Sequence, residues 1–373
     1  MAKKIVVVGL SGGIDSAVSA HLLKQKSEYH VIGLFIKSWD EYVNFEFNNA
    51  ENNKFLEGCT SEKDYQIAKK VAKKLKIPLF QVNFVEQYWE MVFKKMIQTY
   101  ELGNTPNPDV LCNKFIKFGL FYKYAKQKFQ CDYIATGHYA KTVIDEKNQC
   151  NLFLSKDLKK DQTYFLCQVN KTILKNVLFP LKNYTKQEVR MLAKQIDLPN
   201  HSRKDSTGIC FIGERKFKQF LSNYIPTNPG PIIDALSNKC IGTHEGISFY
   251  TIGQRKGLNL GNLGHAYAVV KKEKKKNVLY VVRNDQAVKF LTSYQLIFKT
   301  SRWINTSPPI NEHLLFRFRH REKLIPGKLF ILKKNFYKAI YPTGSIRVTP
   351  GQYIVVYSYS GLCYGGGEIL SVG

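Results

Sequence analysis

Two cysteines stand among residues suited to sulfur chemistry. Cys112 closes the stretch "NTPNPDVLC". Pro106 and Pro108 force an extended or turned loop there, and a helix starting near Asp109 puts Cys112 in its first turn. Free amides and the helix dipole at that position favour a thiolate. Lys114 and Lys117 add positive charge. Cys210 lies in "KDSTGICFIG" (204–213), with Lys204 before it and Arg215 and Lys216 after it. Its own neighbourhood leaves two roles open. "ICFI" reads as a short buried strand, where a free thiol is ordinary packing. Asp205, Ser206 and Thr207 beside Gly208 and Gly213 read instead as backbone turning close to a ligand. If the two loops meet in the fold, one thiol can serve as nucleophile and the other as sulfur carrier, with a transient disulfide closing the cycle.

A second set of residues points to phosphate. "VVVGLSGGIDSAVS" places a glycine-rich turn between an apolar run and a helical pattern. Gly9, Gly12 and Gly13 let the backbone turn tightly, and amides at the following helix start then face an anion. Ser11 and Ser16 supply hydroxyls, while Leu10 and Ile14 flank the turn. Asp15 is out of place beside an anion unless a metal or another cation mediates, which suggests Mg²⁺. The pattern is neither a Walker loop nor G-x-G-x-x-G.

The surrounding elements must hold these residues. "KIVVVG" (4–9), "HVIGLFIK" (30–37), "IPLFQVNF" (77–84) and "CDYIATGH" (131–138) read as strands. Helical patterns at 15–26 and 60–75 separate them. That alternation predicts an α/β fold, an open parallel doubly wound sheet, over 1–205. Beyond "NYIPTNPGPIID" (223–234) short strands dominate. A small mixed or β central domain is expected at 206–282, with "KKEKKK" as a hairpin tip, and a C-terminal β-barrel at 283–373. "PTGS" and "YGGG" read as turns between its strands.

The chain has 373 residues and 44% hydrophobic content, enough for several cores. Its formal charge of +27 attracts polyanions, nucleic acid above all. No apolar run reaches membrane-spanning length and no leader pattern opens the chain, so a cytoplasmic protein without membrane association is expected. The eight cysteines include no C-x-x-C pair or zinc spacing, so no tightly bound metal or cluster is expected.

"SGGIDS" resembles the PP-loop of the N-type ATP pyrophosphatases, which cleave ATP to AMP and pyrophosphate while adenylating a carbonyl oxygen. That resemblance alone leaves open amide-forming synthetases, tRNA lysidine synthetases and sulfur-inserting enzymes. "NPDVLCNKFIKFG", "ATGHYAK", "KKDQTYFL", "KDSTGICFIGERKF", "TIGQRKGL" and "TPGQ…YGGG", in this order, resemble the bacterial tRNA-specific 2-thiouridylases along essentially the whole chain. The resemblance implies ATP as substrate, a tRNA anticodon arm as partner, and sulfur delivered by a cysteine desulfurase or relay protein. It implies ATP contacts from Gly9, Leu10, Ser11, Gly12, Gly13, Ile14, Asp15, Ser16, Ile36 and Gly137; Ile36 stands where the family usually has methionine. Cys112 would be the nucleophile, Cys210 the persulfide carrier that ends in a disulfide with Cys112, and Asp109 a proton-handling group. Asn107, Pro108 and Asp109 would contact the target base. Lys160, Asp161, Gln162, Arg319 and His320 would face the tRNA, with His320 replacing the family's usual tyrosine.

Overall fold

A computed structural model describes residues 2–40, 60–204, 217–261, 264–304 and 306–373. Its first sheet is built from β1 (Lys4–Gly9), β2 (Tyr29–Lys37), β3 (Leu79–Asn83), β4 (Tyr133–Ala135) and a last strand at Val177–Leu178. All neighbours pair in parallel, in the order β3-β2-β1-β4 and then Val177–Leu178. Alternate residues of β1 point to opposite faces, and both faces are covered. Val7 buries with Leu34, Val82, Phe93, Phe118 and Phe121. Val6 and Val8 bury with Ala17 of α1 (Ile14–Lys24), Val71 of α2 (Thr60–Leu75), and Val189 and Ala193 of the helix Lys186–Gln195. This two-sided burial explains why β1 is a continuous apolar run, and it makes the sheet doubly wound, as expected.

A mixed four-stranded sheet follows, formed by Gly230–Asp234, Cys240–His244, Tyr267–Glu273 and Val278–Arg283. The lysine run caps the antiparallel hairpin between its last two strands. Six antiparallel strands then close a barrel between Thr292 and Val372. Its core gathers Phe298, Phe316, Phe318, Leu329, Tyr341 and Ile354. Among the described residues, no helix is long and apolar enough to cross a membrane.

Two expected turns are strand. "PTGS" lies within Phe336–Ile346 and "YGGG" within Cys363–Val372. The glycines serve close approach instead. A Cβ on Gly366 would sit 1.9 Å from the Ile354 carbonyl oxygen, and one on Gly367 2.3 Å from that of Lys299. Gly365 (φ +101°) lies over the Cys167 carbonyl. A glycine run therefore marks a place where backbones crowd, which a local pattern does not separate from a turn.

Candidate active site

The phosphate loop leaves the C-terminal end of β1, where open parallel sheets bind ligands. Leu10 N–H donates to the Leu34 carbonyl at 3.0 Å and anchors the exit. Gly12 takes φ +77°, and a Cβ there would lie 2.6 Å from the Asp64 carbonyl oxygen, so both the dihedral and the space demand glycine. Ser16 folds the loop back on itself. Its Oγ donates to the Gly13 carbonyl at 2.9 Å and accepts from Ser11 N–H at 3.2 Å. Ile14, the first residue of α1, is buried in the core beneath the helix. Gly137 abuts the same turn, for a Cβ there would come within 2.7 Å of Ser16 N. Ile36 lies near the end of β2, packed on the large cluster. His138 is buried, its Nδ1 2.9 Å from Thr136 Oγ1, and burial holds its pKa well below the usual value. It is a neutral packing residue beside the loop.

Four residues outside the glycine run, Lys186, Tyr139, Asn200 and Arg203, complete the loop. Lys186 Nζ lies 2.7 and 2.9 Å from the two Asp15 carboxylate oxygens, and Tyr139 O–H donates to Asp15 Oδ1 at 2.9 Å. On the other side Asn200 Nδ2 donates to the Gly12 carbonyl at 2.9 Å. Arg203 reaches the same carbonyl at 3.3 Å and pairs with Asp64. The misfit of Asp15 was the available signal for a cation, and the cation beside it is Lys186. With both oxygens so engaged, the present arrangement does not fit a protein-held Mg²⁺ at Asp15. No group of three or more His, Cys, Asp or Glu among the described residues could hold a metal ion.

Cys112 departs from its expected state. Asn107 caps the helix, its Oδ1 accepting from Val110 N–H at 3.3 Å, and Pro108 is the first helical residue. The helix runs as Pro108–Leu111, a π-helical stretch Cys112–Leu120, then Phe121–Phe129. Cys112 therefore sits one turn in, and its amide is bonded to the Pro108 and Asp109 carbonyls. The side chain is 5% exposed. Burial pushes its pKa up to about 11; Lys117 opposes the shift and Asp109 adds to it. The expected thiolate is absent because desolvation outweighs the nearby lysine. Burial likewise raises the Asp109 carboxyl, against Lys117. Lys114 turns away, donating to Gln168 Oε1 at 3.3 Å.

The barrel grips the loop ahead of Cys112. Gln352 Nε2 donates to the carbonyls of Thr105 (3.2 Å) and Pro106 (2.8 Å), and its Oε1 accepts from Asn107 Nδ2 at 3.1 Å. Thr105 N–H donates to the Pro350 carbonyl at 3.0 Å. Gly351 (φ +88°) lets the turn ahead of the strand Tyr353–Tyr357 lie against Thr105, where a Cβ would be 2.7 Å from the carbonyl oxygen.

"KKDQTYFL" is a second fastening. Asp161, expected to face nucleic acid, is 1% exposed. Its carboxylate takes Arg317 at 2.8 Å, the Thr163 hydroxyl and amide, and the Ser155 amide at 2.9 Å. Its side chain thus joins the sheet domain to the barrel. Thr163 Oγ1 meets the Tyr357 hydroxyl at 3.0 Å, and Tyr164 O–H donates to the Phe318 and Tyr353 carbonyls at 3.0 and 3.1 Å. Gln162 Oε1 accepts from Tyr139 N–H at 3.0 Å, and Lys160 is half-buried. Arg319 donates to Thr349 Oγ1 at 3.0 Å. The His320 ring packs against Phe165 with centroids 4.5 Å apart and the planes tilted by 39°, and burial with Arg321, Arg317 and Lys160 nearby lowers its pKa to about 4. Cys210 and the rest of 205–216 lie outside the described residues.

A glycine turn at the carboxyl end of a parallel sheet, in a domain whose Cys112 loop is fastened to a β-barrel, defines a nucleotide-binding α/β protein with an appended barrel. Three families match in order: "tRNA methyl transferase HUP domain" over 4–214, "tRNA methyl transferase PRC-barrel domain" over 218–283, and "Aminomethyltransferase beta-barrel domain" over 293–369. The tRNA-specific 2-thiouridylase of Malacoplasma penetrans is 50% identical over 98% of both chains. That of Ureaplasma parvum is 50% identical over 98% of this chain and 94% of its own. The chain belongs to the tRNA-specific 2-thiouridylase family. Among solved structures, the U34-tRNA thiolase of Methanococcus maripaludis is 19% identical over 60% of this chain and 65% of its own, with a TM-score of 0.35, too slight a likeness to argue from.

Proposed function

We propose that this protein is an ATP-dependent tRNA-uridine 2-sulfurtransferase that thiolates the wobble uridine of tRNA anticodons. The observation that carries the reading is half-identity, along nearly the whole chain, to proteins named for this activity. The matched domain descriptions speak of methyl transfer. The full-length relatives weigh more, because each runs through all three matched regions at 50% identity.

The uridine O2 attacks the α-phosphorus of ATP. The O2–Pα bond forms, the bond to the β-phosphate oxygen breaks, pyrophosphate leaves, and the uridine N3 proton passes to a base, for which Asp109 is available. Gly9 to Ser16, Ile36 and Gly137 hold the nucleotide, and Mg²⁺ arrives with its phosphates. Cys210 carries a persulfide from a cysteine desulfurase or relay protein. Its terminal sulfur attacks C2 and AMP departs. The Cys112 thiolate then attacks the Cys210 sulfur, which frees the thiouridine and leaves a Cys112–Cys210 disulfide for an external reductant to open. The buried, protonated Cys112 is a resting state, and the flipped-out base must uncover it. Asn107, Pro108 and Asp109 border the base, while Lys160, Gln162, Arg319 and His320 lie towards the anticodon arm. Asp161 acts there through the barrel it secures. In this reading 1–205 is catalytic, 206–282 and 283–373 grip tRNA, and the protein works in the cytoplasm.

The test incubates the protein with ATP, Mg²⁺, a persulfide donor and unmodified tRNA, and measures 2-thiouridine and pyrophosphate. Both products are expected. Cys112→Ala and Cys210→Ala should each abolish thiolation, while Cys240→Ala, at an exposed thiol, should not. Pyrophosphate without thiouridine in wild type would point to a ligase instead.

A further inference from the structure

The back of the Cys112 helix carries cations that the reaction leaves unused. Residues two apart on a helix point to nearly opposite sides, so Lys114 faces away from Cys112. Its ammonium donates to Gln168 Oε1 at 3.3 Å and stands 5.2 Å from the centroid of the Phe115 ring. Lys95, of the helix Lys94–Glu101, stands 4.4 Å from the same centroid. Two ammoniums thus share one ring. Burial, then Arg302 and Lys95, hold the Lys114 pKa below its usual value. The barrel repeats the arrangement, with Lys299 and Lys333 5.5 and 4.6 Å from the Phe336 ring centroid. Hydrogen bonds join the two sets across the seam between sheet domain and barrel. Gln168 Nε2 donates to Thr300 Oγ1 at 3.4 Å, Thr300 Oγ1 donates to the Arg302 carbonyl at 2.8 Å, and Thr300 N–H donates to the Asn335 carbonyl at 3.0 Å. Lys95, Lys299, Arg302 and Lys333 are exposed, while Lys114 and both rings are half-buried. What sets this stripe apart is its missing counter-charge. Lys94, next to Lys95, pairs with Glu90 at 2.7 Å, and Lys276 of the hairpin tip pairs with Glu273 at 3.0 Å. Among the described residues, none of the stripe's cations forms a salt bridge. Glu368, the cross-strand neighbour of Lys299, lies outside salt-bridge distance, and burial raises its carboxyl pKa. Holding like charges together over two rings is unfavourable in the free protein, and a polyanion laid along them relieves it.

We propose that the stripe of Lys95, Lys114, Arg302, Lys299 and Lys333 binds the sugar-phosphate backbone of the tRNA substrate at nucleotides other than the target uridine. This rests on the tRNA-thiolating reading above. The negative faces of Phe115 and Phe336 hold the ammoniums in place before RNA arrives, and the long lysine stems let each ammonium follow a phosphate. A row of cations that crosses from one domain to the next suits a linear polyanion. Phosphate contacts of this kind fix position and register without reading sequence. Because Lys114 belongs to the Cys112 helix and Lys299 and Lys333 to the barrel, RNA on the stripe ties the two domains together.

The test measures binding of unmodified tRNA, without ATP, across about 50 to 200 mM salt. It compares wild type, Lys95→Gln with Lys114→Gln, Lys299→Gln with Lys333→Gln, and Lys26→Gln, after melting curves have confirmed folding. Lys26 is a matched control: it too stands over a ring, 5.7 Å from the Tyr29 centroid, but at the amino end of the sheet. Each double variant removes two phosphate contacts. It should lower the slope of log affinity against log salt by about 1.4–1.8 and weaken binding at least about tenfold at the low-salt end. Lys26→Gln should change neither. Unchanged slopes in the double variants overturn the proposal. An equal change per lysine in Lys26→Gln also overturns it, by showing a dependence on net charge alone. Unchanged slopes together with slower sulfur transfer from a cysteine desulfurase would assign the stripe to the donor protein and overturn it as well. Absence of 2-thiouridine in wild type would strike the reaction itself, whereas the binding comparison needs no turnover and still decides the role of the stripe.

Discussion

Arg317→Met removes the cation from a carboxylate that has no access to water. The Asp161 and Arg317 side chains are 0% and 4% exposed, with Nη1 2.8 Å from Oδ1. Taking one partner from a buried pair costs about 3–5 kcal/mol. Asp161 keeps its bonds from Thr163 and Ser155, so the lower end, about 3 kcal/mol, applies. The guanidinium also stands 5.4 Å from the Tyr357 ring centroid, and that contact goes too. The pair bridges the sheet domain and the barrel, so the loss falls on barrel docking, where about 3 kcal/mol is roughly a hundredfold shift. Hydrogen exchange should quicken in Tyr353–Tyr357, and tRNA affinity should fall as the docked fraction falls. Asp161→Asn together with Arg317→Met removes both charges and should recover at least about half of the loss. If Arg317→Met leaves exchange unchanged, or the double variant is as weak as the sum of its parts, the pair does not hold the barrel in place.

Three further outcomes follow from individual groups. With its pKa pushed up to about 11 by burial, Cys112 stays a neutral thiol through the physiological range. Iodoacetamide at pH 7.5 should therefore label exposed Cys240 first, as read by peptide mass spectrometry; equal labelling of Cys112 would refute the buried resting state. Folding lowers the His320 pKa from about 6.5 to about 4, so the unfolded chain takes up its proton first. The contribution of the neutral ring is complete above about pH 6.5 and declines as the pH falls towards 4. The stability difference between wild type and His320→Gln should shrink across that window in urea melts, and a flat difference would contradict it. Gly12→Ala places a Cβ 2.6 Å from the Asp64 carbonyl oxygen at a φ of +77°. Binding of a non-hydrolysable ATP analogue should drop at least about tenfold through loop strain, and retained affinity would show that the loop tolerates the strain.

Local pattern was enough wherever one element decides the outcome. Apolar runs 4–9 and 30–37 announced strands buried on both faces, and the glycines after the first run announced the turn to α1. The two prolines announced a loop ahead of a helix near Asp109, and the structure adds Asn107 as the cap of that helix. Pattern misled where a residue type serves two ends, as with "YGGG", where glycine marks crowding inside a strand.

The amino-acid sequence by itself determined the doubly wound sheet, the phosphate turn and the identity of the reactive candidates, because each depends on residues within a few positions of one another. Only the tertiary structure decided their state. Asp15 meets its cation 171 positions away, Asp161 its guanidinium 156 away, and Asn107 its clamp on Gln352 245 away. The protonated thiol of Cys112 depends on desolvation by everything packed around it. Such partners and such burial leave no periodic trace in the chain, because they arise only when elements far apart in sequence close on one another.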